Sequence, residues 1–134
     1  MLKIEHLGIA VKNLSNSIPL FEQLLNTPCY KQETVEHEGV ETAFFATGVN
    51  KIELLQANKP DSAIAKFIEK KGEGIHHVAF EVENIEAEMK RLTALGFEVI
   101  QEKPKRGADN KLICFLHPKT TNGMLIELCQ EIVE

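Results

Sequence analysis

The chain has 134 residues, of which 43% are hydrophobic and 26% charged, so it is long enough to bury the core of one globular domain. A formal net charge of −5 at pH 7 argues against sequence-independent attraction to DNA or RNA. The N-terminus has no apolar signal-peptide core and no later run is long enough for a membrane span, so we expect a cytoplasmic location.

The first half of the chain reads as a strand, a helix and further strands. Residues 4–14, IEHLGIAVKNL, alternate in the manner of a β-strand and lead into the helical pattern SNSIPLFEQLL at 15–25. Short apolar segments with turn residues around them follow at 40–48, VETAFFATG, and at 51–56, KIELLQ. We therefore predict a βαβββ module over about 1–58.

A helix is predicted to link this module to a second one. The segment 61–71, DSAIAKFIEKK, has apolar residues at helical spacing, with Asp61 in position to cap it and Gly72 to end it. The three cysteines, Cys29, Cys114 and Cys129, have no CxxC spacing. We expect them to be buried free thiols, and neither a disulfide framework nor a thiolate zinc site is indicated.

The second half follows the same plan. The strand-like segment 75–85, IHHVAFEVENI, leads into a helix that Asn84 caps and Gly96 ends. The strand-like segments GFEVIQEK, NKLICFLHP and LIELCQ come after it. The sequence thus predicts an α+β fold of two βαβββ modules, about 1–58 and 73–134, within a single domain over 1–134.

The two halves also repeat one another residue by residue. When IEHLGIAVKNL is set above IHHVAFEVENI, His6 coincides with His77, and not with His76. The tripeptide Ile-Glu-Leu recurs as well, bringing Glu53 and Glu127 into correspondence. Because side chains alternate between the faces of a strand, each histidine and each glutamate points away from the bulky apolar face. The residue two beyond each histidine is small, which leaves space for a ligand.

These repeated polar residues predict a metal site. Buried carboxylates need a compensating positive charge, and a divalent cation supplies it. Two imidazole nitrogens and two carboxylate oxygens suit Co²⁺, Ni²⁺, Zn²⁺ or Mn²⁺. A lone histidine on a strand is more often a core or surface residue, and His37 and His117 have no repeat partner. The candidate metal ligands are His6, Glu53, His77 and Glu127.

At these residues the chain resembles the vicinal oxygen chelate superfamily, and within it the methylmalonyl-CoA epimerase family. The segments that carry the resemblance are HLGIAVKNL, DSAIAKFIEKKGEGIHHVAFEV and EKPKRGADNKLICFLHPKTTNGMLIELCQ, which together span most of the chain. The resemblance implies a cupped, barrel-like mixed sheet around one divalent metal ion, foremost Co²⁺, in a homodimer. KPKRG followed by FLHPK is the part most specific to the epimerases.

The resemblance also implies a reaction. Family members interconvert the two C2 epimers of methylmalonyl-CoA by proton transfer through a metal-stabilised enolate, and Glu127 matches one family base. The other family base is a glutamate on the strand after Gly-Val, where this chain has Thr42, with Glu41 one place earlier. A shift of one residue reverses the face of a strand, so Glu41 can act as the second base only through a bulge or a shifted register.

A basic loop lies in the second module, after its helix. EKPKRGADNK concentrates cations in an otherwise acidic protein, and by the resemblance these contact the phosphates of the acyl-CoA substrate. The alternative is an ordinary solvated loop. The residues expected to bind coenzyme A are Lys103, Lys105 and Arg106.

Three other functions fit parts of the pattern. A glyoxalase I-like lyase could use the same four ligands on a hemithioacetal, although the basic loop suits an acyl-CoA better. A ring-cleaving dioxygenase of the superfamily would offer two histidines and one carboxylate, and two carboxylates argue against it. A metal-free binding module of the same fold would have no electrostatic reason to bring two carboxylates together.

Overall fold

The computed structural model describes residues 1–133, which form two compact units, 6–76 and 1–5 with 77–133. We call them the N-terminal and C-terminal units. None of the helices described is both long and apolar enough to cross a bilayer. The elements in chain order are β1 (Lys3–Ala10), α1 (Leu14–Leu25), β2 (Lys31–Val35), β3 (Val40–Thr47), β4 (Asn50–Ala57), α2 (Ala63–Lys71), β5 (Gly74–Glu81), α3 (Ile85–Ala94), β6 (Lys105–Arg106), β7 (Lys111–Leu116) and β8 (Ile126–Glu131).

In the N-terminal unit the strands lie in the order β2-β3-β4-β1, with β1 parallel to β4 and the other pairs antiparallel. Helix α1 packs on one face, which we call the helix face, against Ala43, Phe45 and Leu54, all fully buried. The opposite face carries His6 and is called the histidine face. This division follows from the two-residue period of strands, which sends alternate side chains to opposite sides.

In the C-terminal unit the order is β5-β8-β7-β6, with β5 parallel to β8. Helix α3 packs through Ile85, Met89 and Leu92 on a face that includes Cys114 and Leu128. The other face of this sheet carries the second repeated histidine, so it is the histidine face of this unit. Each unit thus buries its apolar stripe under a helix and leaves the polar repeat on the opposite side of the sheet.

The start of each packed helix is held by a glutamine from a neighbouring strand. Gln56 Oε1 accepts the backbone N–H of Leu14 at 2.7 Å, and Gln130 Oε1 accepts that of Ile85 at 2.7 Å. The first N–H groups of a helix have no partner within the helix, so these contacts satisfy groups that burial would otherwise penalise. Both glutamines close the repeated Ile-Glu-Leu segments, and the sequence analysis missed their role.

Asparagine and serine side chains complete the helix starts. Asn84 accepts the N–H of Ala87 at 3.0 Å, which confirms the predicted cap, and Asn13 caps α1 in the same way. Helix α2 begins later than predicted, and Ser62, not Asp61, is its N-cap residue. Either residue type can cap a helix, so composition alone did not decide between two adjacent candidates.

The predicted strand GFEVIQEK is not regular. Val99 makes an isolated bridge to Leu116, and regular pairing starts only at β6. Gln101 explains the interruption, since its side-chain Oε1 accepts the Phe115 N–H at 2.8 Å in place of a backbone carbonyl. Pro104, just before β6, has no N–H to donate to a ladder.

The cysteines are free thiols within the described residues, as predicted. Cys114 and Cys129 are fully buried and Cys29 is partly buried. Burial raises the pKa of the Cys114 thiol to about 12, with the charge of Glu127 adding to the effect. Both buried thiols therefore pack as small hydrophobic groups.

Candidate metal centre

In the N-terminal unit a buried histidine meets a buried glutamate. His6 on β1 and Glu53 on β4 are 6% and 4% exposed, and His6 Nε2 lies 3.2 Å from Glu53 Oε1. The parallel register sets Gly8 directly opposite Glu53, so no side chain stands beside the carboxylate at that position. The parallel pairing of β1 with β4 therefore brings together two residues that the strand period had placed on one face.

The C-terminal unit contains the matching pair. His77 Nε2 lies 3.4 Å from Glu127 Oε1, and the residues are 4% and 5% exposed. Ala79 takes the place of Gly8, since it stands opposite Glu127 in the parallel register of β5 and β8. The Phe115 ring meets the His77 imidazole edge to face, with centroids 6.0 Å apart and planes at 87°. This contact limits rotation of the imidazole.

The charges of these two pairs fit a cation. A histidine that binds a metal is neutral, so each pair then carries the one negative charge of its glutamate in a buried position. A cation would balance the charge of a pair, and nitrogen with oxygen is a donor set that transition metals accept. His6, His77 and Glu127 are each buried and each offers one ligand atom to such an ion.

The strand register decides which residues of β3 belong to the histidine face. Thr42 stands opposite Leu55, and Glu41 stands opposite Gln56, whose side chain reaches the start of α1. Glu41 therefore lies on the helix face. The described pairing of β3 with both its neighbours is continuous and contains no bulge, so the shift that a catalytic Glu41 requires is not found.

Two charged residues on the histidine face were missed by the sequence analysis. Glu33 stands opposite Thr42 and Lys31 stands opposite Phe44, which places both on the face that carries Glu53. No strand had been assigned to the segment that contains them. The alternating KQETV pattern of β2 was the available signal, but the register with β3 was needed to orient it.

The three basic residues of the loop after α3 belong to different surfaces. Lys105 pairs with Ile113 and lies on the histidine face, whereas Arg106 is the next residue and donates from its guanidinium to Asn110 Oδ1 at 3.2 Å. Lys103 borders a groove of about 620 Å³ along α3. Of the three, Lys105 is thus the one that shares a face with the His77 and Glu127 pair.

Two of the other histidines, His76 and His117, have other roles. His117 Nδ1 accepts the backbone N–H of Lys119 at 3.1 Å and so caps the short turn Pro118–Thr120. His76 packs edge to face on Phe67, with centroids 5.0 Å apart, and burial lowers its pKa to about 4. The histidine that the repeat singled out is therefore distinct in environment from its neighbour in the sequence.

Comparison with known proteins agrees with this architecture. The family described as Glyoxalase/Bleomycin resistance protein/Dioxygenase superfamily matches residues 5–115. The chain is 38% identical over 130 residues to the uncharacterized protein YqjC of Bacillus subtilis (strain 168), covering 97% of this chain and 93% of that protein. It is also 38% identical over 130 residues to the ethylmalonyl-CoA/methylmalonyl-CoA epimerase of Cereibacter sphaeroides, covering 96% and 97%.

Among solved structures, a variant of Streptomyces coelicolor methylmalonyl-CoA epimerase in complex with 2-nitronate-propionyl-CoA superimposes with a TM-score of 0.95. It is 30% identical in sequence, and the match covers 99% of both chains. The predicted vicinal oxygen chelate fold is confirmed by this match. The chain belongs to the Glyoxalase/Bleomycin resistance protein/Dioxygenase superfamily, and within it to the methylmalonyl-CoA epimerase family.

Proposed function

We propose that this protein interconverts the (2R) and (2S) epimers of methylmalonyl-CoA by moving the C2 proton. The observation that carries the proposal is the buried histidine–glutamate pair that recurs on the histidine face of each unit, at 3.2 and 3.4 Å. The epimerase relatives support the substrate class, since the Streptomyces coelicolor enzyme is seen with an acyl-CoA analogue.

We propose that these histidine and glutamate residues serve as ligands of a divalent ion, Co²⁺ in the first place. When bound, it would supply positive charge beside the oxygen atoms of the substrate on which negative charge grows as the C2 proton leaves. The protein contributes two neutral imidazoles and two anionic carboxylates, all buried, which raises the strength of electrostatic interactions at the site. The four ligands are His6, Glu53, His77 and Glu127.

Glu127 is assigned as one acid/base group. The C2 proton lies between a thioester and a carboxylate, which makes it acidic enough for a carboxylate base to remove when the resulting charge is stabilised. Glu127 is 5% exposed, so little water reaches its carboxylate to compete with it for the C2 proton. Inversion of C2 needs a second group that reaches the opposite side.

Recognition of the coenzyme A portion is assigned to the basic loop, with Lys105 in the leading position because it shares a face with His77. Lysine and arginine offer charge-assisted hydrogen bonds to phosphate oxygens. Arg106 and Lys103 would act further from the reacting centre. A homodimer and a cytoplasmic location are part of the same proposal, and light scattering and cell fractionation test them.

The experiment is exchange of the C2 proton in D₂O. Each epimer of methylmalonyl-CoA is incubated with protein stripped by a chelator and with the same protein reloaded with Co²⁺, and deuterium and stereochemistry are followed by mass spectrometry and NMR. We expect metal-dependent deuterium incorporation together with loss of stereochemical purity. Folded, metal-loaded protein that leaves the proton in place would contradict the proposal and direct the search to hemithioacetal substrates.

A further inference from the structure

Phe115 lies beside Glu127 on the histidine face of the C-terminal unit. In the strand register Glu127 on β8 stands opposite two residues, Ala79 on β5 and Phe115 on β7. Directly opposed residues of an antiparallel pair have Cβ atoms about 5 Å apart, so the ring and the carboxylate are neighbours. Ala79 is fully buried, whereas Phe115 is only partly buried. Of these two neighbours, Phe115 is therefore the one that a bound molecule can touch.

The ring of Phe115 leans across β8. Its centroid lies 6.0 Å from that of the His77 imidazole, and the two planes meet at 87°. Because β8 separates β5 from β7, the ring extends over the strand that carries Glu127 to make this contact. His77 Nε2 in turn lies 3.4 Å from Glu127 Oε1. The ring thus borders the buried pair and forms an apolar wall beside the carboxylate.

The main chain and the side chain of Phe115 are both held in place. Its N–H is accepted by Gln101 Oε1 at 2.8 Å, and its carbonyl oxygen accepts the N–H of Ile100 at 2.8 Å. Its side chain packs against a buried cluster that includes Ile113 and Cys129. A wall fixed in this way can discriminate between ligands by size, because it does not move aside for a larger group.

On the basis of the proposed epimerase function, in which Glu127 removes the C2 proton, we propose that Phe115 sets the size of the C2 substituent that the enzyme accepts. To lose its proton to Glu127, C2 must lie close to that carboxylate. Two of the groups on C2, the carboxylate and the thioester, carry oxygen atoms that need polar or cationic partners, whereas the methyl group is apolar. The methyl group therefore contacts the apolar wall, which is the ring of Phe115.

The same contact serves both epimers. When the C2 proton passes to Glu127, the C–H bonding pair is delocalised into the thioester carbonyl, and C2 becomes planar with its three remaining substituents. The methyl group lies in that plane whichever epimer has reacted, so it meets the same ring. Proton delivery from the opposite side then completes the inversion. Phe115 thus limits the length of the substituent without favouring either configuration.

The test compares C2 substituents of increasing length. Exchange of the C2 proton in D₂O is measured as kcat/KM for malonyl-CoA, methylmalonyl-CoA and butylmalonyl-CoA on Co²⁺-loaded protein, after subtraction of the exchange seen without protein. Phe115→Ala should raise kcat/KM for butylmalonyl-CoA relative to methylmalonyl-CoA at least about tenfold, the lower end of what an apolar pocket discriminates for one methylene. Methylmalonyl-CoA should also lose about fourfold relative to malonyl-CoA, since its methyl group loses an apolar contact.

Malonyl-CoA separates the effect of size from an effect through His77. It has hydrogen in place of the methyl group, so a change in its own exchange reports the contact between Phe115 and His77, and the ratio between substrates removes that contribution. Phe115→Leu is a milder variant and should shift the ratios in the same direction. Phe80→Leu is the matched control, because Phe80 packs on the helix face against the α3 cluster and should leave the ratios at their wild-type values. Thermal unfolding confirms that each variant is folded.

Two results would overturn the assignment. One is a set of substrate ratios within about twofold of wild type in folded Phe115→Leu and Phe115→Ala. The other is an equal shift of the ratios in Phe80→Leu, which would mean that any loosening of this sheet admits larger substrates. Wild-type protein that exchanges the C2 proton of none of the three substrates is a different outcome, because it rejects the proposed epimerase function and this assignment with it.

Discussion

Glu53 stands directly opposite Gly8 in the parallel register of β1 and β4, and the same position opposite Glu127 is filled by Ala79. A residue without a large side chain therefore flanks each buried carboxylate. Neither carboxylate has a bulky side chain at the paired position of the neighbouring parallel strand.

Binding of Co²⁺ should stabilise the protein. A ligand that binds only the folded state at a hundred times its Kd adds about 2.7 kcal/mol to the free energy of unfolding. We expect a rise in Tm when Co²⁺ is added to chelator-treated protein, and a much smaller rise for His6→Ala or His77→Ala. His37→Ala is the matched control, since His37 is exposed and should leave the full shift. An equal shift in all variants would place the metal elsewhere.

Removing the glutamine that holds the start of α1 should destabilise the fold. Gln56→Ala leaves the Leu14 N–H without its 2.7 Å partner, and the loss of such a hydrogen bond costs about 1 kcal/mol. Urea unfolding should show this as a lower midpoint with an unchanged slope. Gln23→Ala, at an exposed position in α1, is the control and should be close to neutral. Equal urea midpoints for the two variants would show that the hydrogen bond between the Leu14 N–H and Gln56 does not stabilise the fold.

Stability should depend on the titration of His76. Burial lowers its pKa to about 4 from an ordinary 6.5, so the unfolded chain binds the proton more readily. The contribution of neutral His76 to the free energy of unfolding is therefore complete above pH 6.5. It is lost as pH falls from 6.5 toward 4, and the total loss is about 3 kcal/mol. His76→Phe, which keeps the ring packing on Phe67, should flatten the pH dependence of unfolding in this range. His37→Phe should not, and identical curves for both variants would contradict the prediction.

The buried thiols should be unreactive in the native state. Burial holds the pKa of Cys114 near 12, so very little thiolate is present at pH 8. With a thiol-specific disulfide reagent at pH 8, we expect Cys29 to react first and Cys114 to react only on unfolding. Peptide mapping by mass spectrometry identifies the modified residue. Rapid native labelling of Cys114 would show that the core around α3 opens more readily than its packing indicates.

The basic loop should affect substrate binding more than turnover. Lys105→Ala should raise KM for methylmalonyl-CoA about tenfold, the effect of losing one charge-assisted hydrogen bond, with kcat little changed. Arg106→Ala should raise KM by less, because its guanidinium also contacts Asn110 within the loop. Lys66→Ala in α2 is a control that should leave both constants unchanged. A loss of kcat with an unchanged KM would count against a binding role.

Much of the site could be predicted from the sequence. The repeat aligned His6 with His77, and the two-residue period of a strand is a local property, so the face of each residue could be assigned without a structure. In the structure His6 lies beside Glu53 and His77 beside Glu127. The fold class followed as well, since the order of strands and helices is largely a matter of local pattern.

Other features were decided only by the tertiary structure. The period of a strand does not say which neighbour it pairs with or in what register, because interstrand hydrogen bonds join residues distant in the sequence. That register put Glu41 on the helix face and Glu33 opposite Thr42 on the histidine face. The register of β6 and β7 likewise paired Lys105 with Ile113, which puts Lys105 on the histidine face of the C-terminal unit. The sequence by itself determined the repeated histidines and glutamates, whereas the charged residues that share their face depended on which strands lie side by side.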